Sequence, residues 1–208
     1  MFIRIACLVI LMFALSVRAQ NKTVFEGVLS YDVFEVNDQD SVKIKTVIFC
    51  KDSLIKVVNF HEVNGTQTLL KHLSYGKSYI MVEIDDTSYA IRTNEHLEKD
   101  TSTFTFEKKC KTRKIGGLKS RKIKVKYSQN KLPLTCYFSK KIPSKYANAM
   151  VELPGLPTLY YSFSDRQIFR HILKNVEYKP LPLSFFMIPE DFQILTWEQF
   201  IEKFSTAP

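Results

Sequence analysis

Apolar residues recur at every second position over most of this chain, and that period predicts strands rather than helices. Phe25, Gly27, Leu29, Tyr31 and Val33 share one face, opposite Glu26, Ser30 and Asp32. After the polar turn Asn37-Asp38-Gln39-Asp40, Val42, Ile44, Ile48 and Cys50 face one way, and Lys43 and Lys45 the other. Lys51-Asp52-Ser53 turns the chain into Leu54 to Val63, and Asn64-Gly65, two residues that tolerate positive φ, predicts a hairpin to Thr66–Leu73. Ser78 to Ile84 and Ser88 to Thr93 form a second pair about the turn Asp85-Asp86-Thr87. The charged run Asn94–Asp100 has no apolar period and reads as a loop or a frayed helical turn. From Thr101 to Lys108 the alternation resumes with Phe104 and Phe106 inward, a phase that also turns Cys110 inward.

The sharpest pattern follows the glycine turn Ile115-Gly116-Gly117-Leu118. Ile123, Val125 and Tyr127 alternate with Lys122, Lys124 and Lys126, so one face is apolar and the other cationic. Burying three such side chains contributes roughly 1.5–3 kcal/mol each before entropy costs. Ser128 to Lys131 turns the chain, and Leu132, Leu134, Cys136 and Phe138 return along the apolar side. Ile142 to Val151 is expected to hold a short helix with Ser144 as its N-cap, ended by Leu153-Pro154-Gly155-Leu156-Pro157. Thr158–Ser164 and Ile168–Tyr178 are the closing strands, and Pro180-Leu181-Pro182 is an extended connector. Thr196 with Gln199 makes a capping box for a terminal helix, whose Phe200–Phe204 and Trp197–Ile201 pairs would lie on the sheet. The predicted fold is mainly β: about ten antiparallel strands with one or two short helices. A sheet of that size curls, so a curved sheet or unclosed barrel is expected.

The first residues bear on compartment. Arg4, the apolar run Ile5 to Leu15 and the small residues of Val17-Arg18-Ala19 have the form of a signal peptide, cleaved after Ala19. The run is shorter than the roughly 20 residues of a membrane span; an uncleaved anchor is the alternative. Residues 1–19 are thus expected to be removed, leaving 20–208 as one β-rich domain in the periplasm, at the outer membrane or outside the cell. Cleavage lowers the formal charge from +9 to +7, because Arg4 and Arg18 leave.

The remaining charge is uneven: Lys108 to Lys145 holds fourteen Lys and Arg and no acidic residue. A solvated lysine face that discourages edge-to-edge association explains it; so does docking on an anionic surface, with Lys122, Lys124 and Lys126 at its centre. Nucleic acid is not expected as a partner of an exported protein. Cys50, Cys110 and Cys136 admit at most one bridge, with Cys110–Cys136 possible by spacing and buried unpaired thiols the favoured state.

Catalytic signatures are sparse. His61, His72, His96 and His171 are scattered, and no zinc, Walker, Gly-rich or nucleophile-elbow motif occurs. No cofactor or metal is expected. The sixteen Phe and ten Tyr suit either core packing or an aromatic-lined apolar cavity. Tyr31, Phe104, Phe106, Ile123, Val125, Tyr127, Leu134 and Phe138 are its candidate wall residues.

Three stretches carry a resemblance: Val24 to Tyr31 directly after the signal peptide; Lys114-Ile115-Gly116-Gly117-Leu118-Lys119 leading into Tyr137 to Pro143; and Glu152-Leu153-Pro154-Gly155-Leu156-Pro157 with Phe186 to Phe192. Together they resemble exported Gram-negative proteins related to the GLPGLI group, although this chain lacks the first Gly and final Ile of that string. A Cys that relatives often carry after Gly-Leu-Lys is also missing. The resemblance implies a fold like the outer-membrane lipoprotein carrier and receptor (LolA/LolB-like), an envelope location and no established activity. The expected role is a non-enzymatic protein holding an apolar or amphipathic ligand, a lipid or lipidated peptide, on the concave face. The alternative is an envelope interaction module with a filled core. Oligomeric state is left open.

Overall fold

A computed structural model describes residues 24–36, 42–61, 65–93, 104–128, 130, 132–164 and 167–205. The predicted signal peptide, the turn at 37–40 and the charged run 94–100 lie outside the described residues.

The described residues form β1 (Gly27–Glu35), β2 (Ile44–Lys51), β3 (Leu54–His61), β4 (Gly65–His72), β5 (Lys77–Ile84), β6 (Thr87–Thr93), β7 (Phe104–Ile115), β8 (Leu118–Tyr127), β9 (Leu134–Ser139), β10 (Leu156–Ser164), β11 (Gln167–Tyr178), β12 (Gln193–Thr196) and a terminal helix α1 (Trp197–Ser205). All twelve strands belong to one curved, unclosed sheet, ordered β12-β6-β5-β4-β3-β2-β1-β11-β10-β9-β8-β7. The count exceeds the expected ten or so; β12, unanticipated, is the one strand that pairs in parallel, along β6. Local chemistry sets the turns. Asp52 (φ +51°), Asp85 (+48°) and Asp86 (+61°) occupy left-handed backbone, which Asp tolerates because its short side chain can satisfy nearby backbone groups.

A connecting segment packs against each face of the sheet. On the concave side a continuous core runs from Leu29, Tyr31 and Ile48 to Ile123, Val125 and Phe138. The segment between β9 and β10 lies across it as a strap, contributing Ile142, Tyr146, Met150 and Leu153. On the other face Val28 and Leu70 meet Leu181 and Phe186 from the segment between β11 and β12, which carries a 3-10 turn at Leu183–Phe186. Glu26 ties that segment down: its carboxylate accepts from Leu181 N–H at 2.7 Å and from Lys51 Nζ at 2.5 Å. These two bonds hold its pKa below the usual carboxylate value, Lys51 foremost.

The β7–β8 turn folds back onto the sheet. Gly116 sits at φ +52° with the side chain of Leu173 so close that a Cβ would lie 2.6 Å from its Cγ. Only glycine meets both demands.

Two expectations are corrected. Cys110 is exposed, not inward. Three β7 residues, 109–111, stand opposite the single Lys122 of β8, and Cys110 lies in this bulge on an edge strand exposed on both faces from Thr105 to Lys114. The predicted helix over 142–151 is a single 3-10 turn, Ser144–Tyr146, with Pro143 at its N-cap. Ser144 caps nothing; its hydroxyl donates to Val151 O at 2.6 Å, closing the strap on itself. At the C-terminus the predicted box is present: Gln199 N–H donates to Thr196 Oγ1 (3.2 Å), and Thr196 N–H to Gln199 Oε1 (2.9 Å). Phe204 and Phe200 of α1 meet Tyr89 of β6 with ring centroids 5.6 and 6.4 Å apart.

Candidate functional site

The strap is built to hold its shape. Leu156 N–H donates to Ile142 O at 2.8 Å and closes its base. At Gly155 a Cβ would stand 2.2 Å from Ser139 O, so the Leu-Pro-Gly-Leu-Pro string is the sequence trace of this crossing. Tyr146 anchors the middle. Its ring is fully buried, its hydroxyl donates to Asp52 O at 3.1 Å, and it accepts from Phe25 N–H at 3.2 Å. Met150 adopts φ +58°, an uncommon conformation for an unbranched side chain and one that tends to collect at functional sites. Tyr127 donates to its Sδ at 3.4 Å.

Where the strap stops short of β4 and β5, a pocket of about 460 Å³ opens. Ile55 of β3 lies beneath it, with Ala147 and Met150 of the strap alongside. The register puts Lys71 beside Ile55 and Ser78 on the strap side of the sheet, whereas Lys77, beside His72, is set on the opposite face and meets the pocket only at its rim. Lys145 adds an ammonium from the strap, and Glu152 is the lining's one carboxylate. Two apolar residues at this opening are left in water: Leu73 is 40% exposed and Val151 51%. The His72 ring meets Tyr75 at a 45° tilt with centroids 4.3 Å apart, and its buried Nδ1 finds no partner among the described residues. An apolar floor with polar groups converging at one end is the ordinary build of a small-molecule site. Here the polar end would attract an anion.

The predicted wall residues lie elsewhere, and none lines this pocket. Tyr31, Ile123, Val125, Tyr127 and Phe138 come together, but as packed core under the strap. Tyr31 donates to Pro157 O at 2.9 Å, and its ring meets Tyr160 edge-on at 6.0 Å. Phe104 and Leu134 are partly buried against that core, while Phe106, at the sheet edge, is 36% exposed. Lys122, Lys124 and Lys126 project from the opposite side of β8, as their alternation predicts. Sequence reasoning missed Lys71, Lys77 and Lys145. A usable signal was available in Leu73 and Tyr75, large apolar residues within the polar turn 73–76.

Chemistry elsewhere in the fold is subdued. Cys50, Cys110 and Cys136 are free thiols. Burial pushes the Cys136 thiol up to about 12 and raises Cys50 further, which leaves both protonated and poorly nucleophilic. Ser162 Oγ lies 2.8 Å from His171 Nε2, the spacing of a nucleophile and its base. Yet among the described residues His171 Nδ1 has no orienting partner, and its ring is stacked on Tyr160 at 4.3 Å. Burial lowers its pKa to about 4. Among the described residues no group of three or more His, Cys, Asp or Glu side chains is placed to hold a metal, and no helix is long and apolar enough to cross a membrane. A scan against protein-family models finds none that matches, and a search of curated proteins finds no similar one.

Proposed function

We propose that this chain is a non-enzymatic, exported envelope protein that binds an amphipathic ligand with an anionic head, and that the ligand sits in the pocket beside the strap rather than within the trough of the sheet. The carrying observation is the pairing of an apolar floor (Ile55, Ala147, Met150) with Lys71 and Lys145 at one opening. Hydrocarbon leaving water contributes about 25 cal/mol per Å², and the ammonium groups favour a carboxylate or phosphate over a neutral head. Export and an envelope location rest on the signal-peptide pattern and the family resemblance. The protonated thiols and the unoriented Ser162–His171 pair support a role without catalysis.

Titration with lysophosphatidylglycerol, read by native mass spectrometry and by melting temperature, tests this. One bound molecule is expected, with lysophosphatidylcholine weaker and Ala147→Trp, which fills the floor, abolishing binding without unfolding the protein. Failure of both lipids to bind, or equal binding by Ala147→Trp, refutes the proposal. That result would favour a second role, an envelope interaction module. Its supporting observation is that five of the eight wall residues expected from sequence are packed core.

A further inference from the structure

The β7–β8 ribbon is charged far beyond what its place in the fold requires. From Phe104 to Tyr127 it holds ten Lys and Arg and one acidic residue, Glu107, which Lys109 engages. β7 is the last strand of the sheet, and every residue from Thr105 to Lys114 is exposed. On the other side of β8 lies β9, Leu134–Ser139, which carries no charged residue. A bare edge does need protection from strand addition, but a bulge and one or two lysines suffice for that, and the bulge is already present at 109–111. Moreover, Lys114 stands directly across from Lys119. Like charges so placed oppose the pairing they sit in, and the ribbon holds no second carboxylate to relieve them.

The shape of the charge says what kind of anion fits. The cations do not converge on a cleft. They are strung along a strand of twelve residues, roughly 40 Å at about 3.3 Å per residue. Half-exposed Phe106 stands at one end, beside partly buried Phe104 at a ring distance of 6.5 Å. A long cationic edge with an aromatic end matches a laterally mobile sheet of phosphates over hydrocarbon, where each basic side chain adds to the attraction and an aromatic ring settles at the interface.

We infer that the β7–β8 ribbon docks this protein on an anionic lipid bilayer, through Lys108, Lys109 and Lys111 on its free edge and Lys122, Lys124 and Lys126 on its outer face. The docking surface shares no residue with the pocket and stands or falls separately.

Co-sedimentation with vesicles tests it, using phosphatidylcholine alone or with about a third phosphatidylglycerol, at about 0.05 and 0.5 M salt, a range over which screening shortens several-fold. Binding is expected only to the anionic vesicles and only at low salt. At about 1 kcal/mol per basic residue near such a surface, the variant K108Q/K109Q/K111Q should bind on the order of 100-fold more weakly. K174Q/K179Q/K203Q removes the same charge from other elements and should bind like the parent. Equal loss in the two variants, salt-independent binding, or none to anionic vesicles overturns the inference. So does tight binding to a DNA duplex without vesicle binding, which would assign the ribbon to nucleic acid.

Discussion

Removing one oxygen atom tests how the strap is held. Tyr146→Phe keeps the buried ring and its edge-on contact with Phe25 (5.6 Å, 68°), and deletes only the hydroxyl between Phe25 N–H and Asp52 O. The two partners differ in what they lose. Asp52 is exposed, so water can replace the bond to its carbonyl; Phe25 is buried, and its N–H has no such substitute. An orphaned buried donor costs about 1–3 kcal/mol. For a domain of this size that lowers the melting temperature by about 2–4 °C per kcal/mol, a fall of about 4–8 °C at the centre of the range. Tyr146→Ala would also open a cavity and cost about 3–5 kcal/mol. Circular dichroism melts of the three proteins provide the measurement. If Tyr146→Phe melts within about a degree of the parent while Tyr146→Ala collapses, the ring alone holds the strap and the hydrogen-bond account is wrong. Because the strap forms one wall of the pocket, the Phe variant should also bind lysophosphatidylglycerol less tightly below its melting temperature.

Two further outcomes follow from the geometry. Gly116→Ala combines a left-handed backbone with a Cβ 2.6 Å from Leu173 Cγ, and should cost about 2–4 kcal/mol; Gly117→Ala, with nothing within 4 Å, should cost only the backbone share of about 1 kcal/mol, and equal urea midpoints would refute the contact. His171 is neutral in the fold with a pKa of about 4, whereas the unfolded chain protonates it near 6.5, so its contribution is complete above about pH 6.5 and is lost as pH falls toward 4, by about 3 kcal/mol. Urea unfolding between pH 7 and 5, above the carboxylate range, should therefore show a slope that His171→Gln flattens.

How much of this was readable in the chain depends on the range of the interaction concerned. Ile123, Val125 and Tyr127 against Lys122, Lys124 and Lys126 is a period-2 pattern that any sheet must respect, so which face is buried was legible. Cys110 was misassigned because the alternation marks which face it shares but not that this edge strand, exposed on both faces from Thr105 to Lys114, runs beyond the core. Ser144 looked like a cap, but Pro143 and the backbone of Val151 set its role. β12 is four residues whose pairing partner lies about a hundred positions earlier, on β6, and no periodic signal reaches that far. The pocket was illegible for the same reason. It exists only where Lys71 to Ser78 meets Lys145 to Glu152.

The concave face was legible as apolar but not as full, and the strap makes the difference. Ile142, Tyr146, Met150 and Leu153 are each no more than 3% exposed and sit where a ligand in the trough would have to lie. Burying side chains of this size stabilises the fold by about 1.5–3 kcal/mol apiece, so lifting all four costs about 6–12 kcal/mol before any new contact forms. A ligand bound with a micromolar constant supplies about 8 kcal/mol in total. Net affinity within the trough would thus demand a gross interaction near the top of what amphiphiles achieve, whereas the pocket at the strap's edge is already open and requires no such displacement. Binding without strap movement follows, and it separates this chain from a sheet whose trough is itself the cavity. Engineered cysteines at Lys145 and Asp52, positions joined by the Lys145 Nζ–Asp52 O contact at 3.4 Å, can be bridged by a short bis-maleimide linker, and bridging should leave affinity for lysophosphatidylglycerol within about twofold of the unbridged variant, a difference under 0.5 kcal/mol. A loss of tenfold or more on bridging would show that the ligand enters beneath the strap after all.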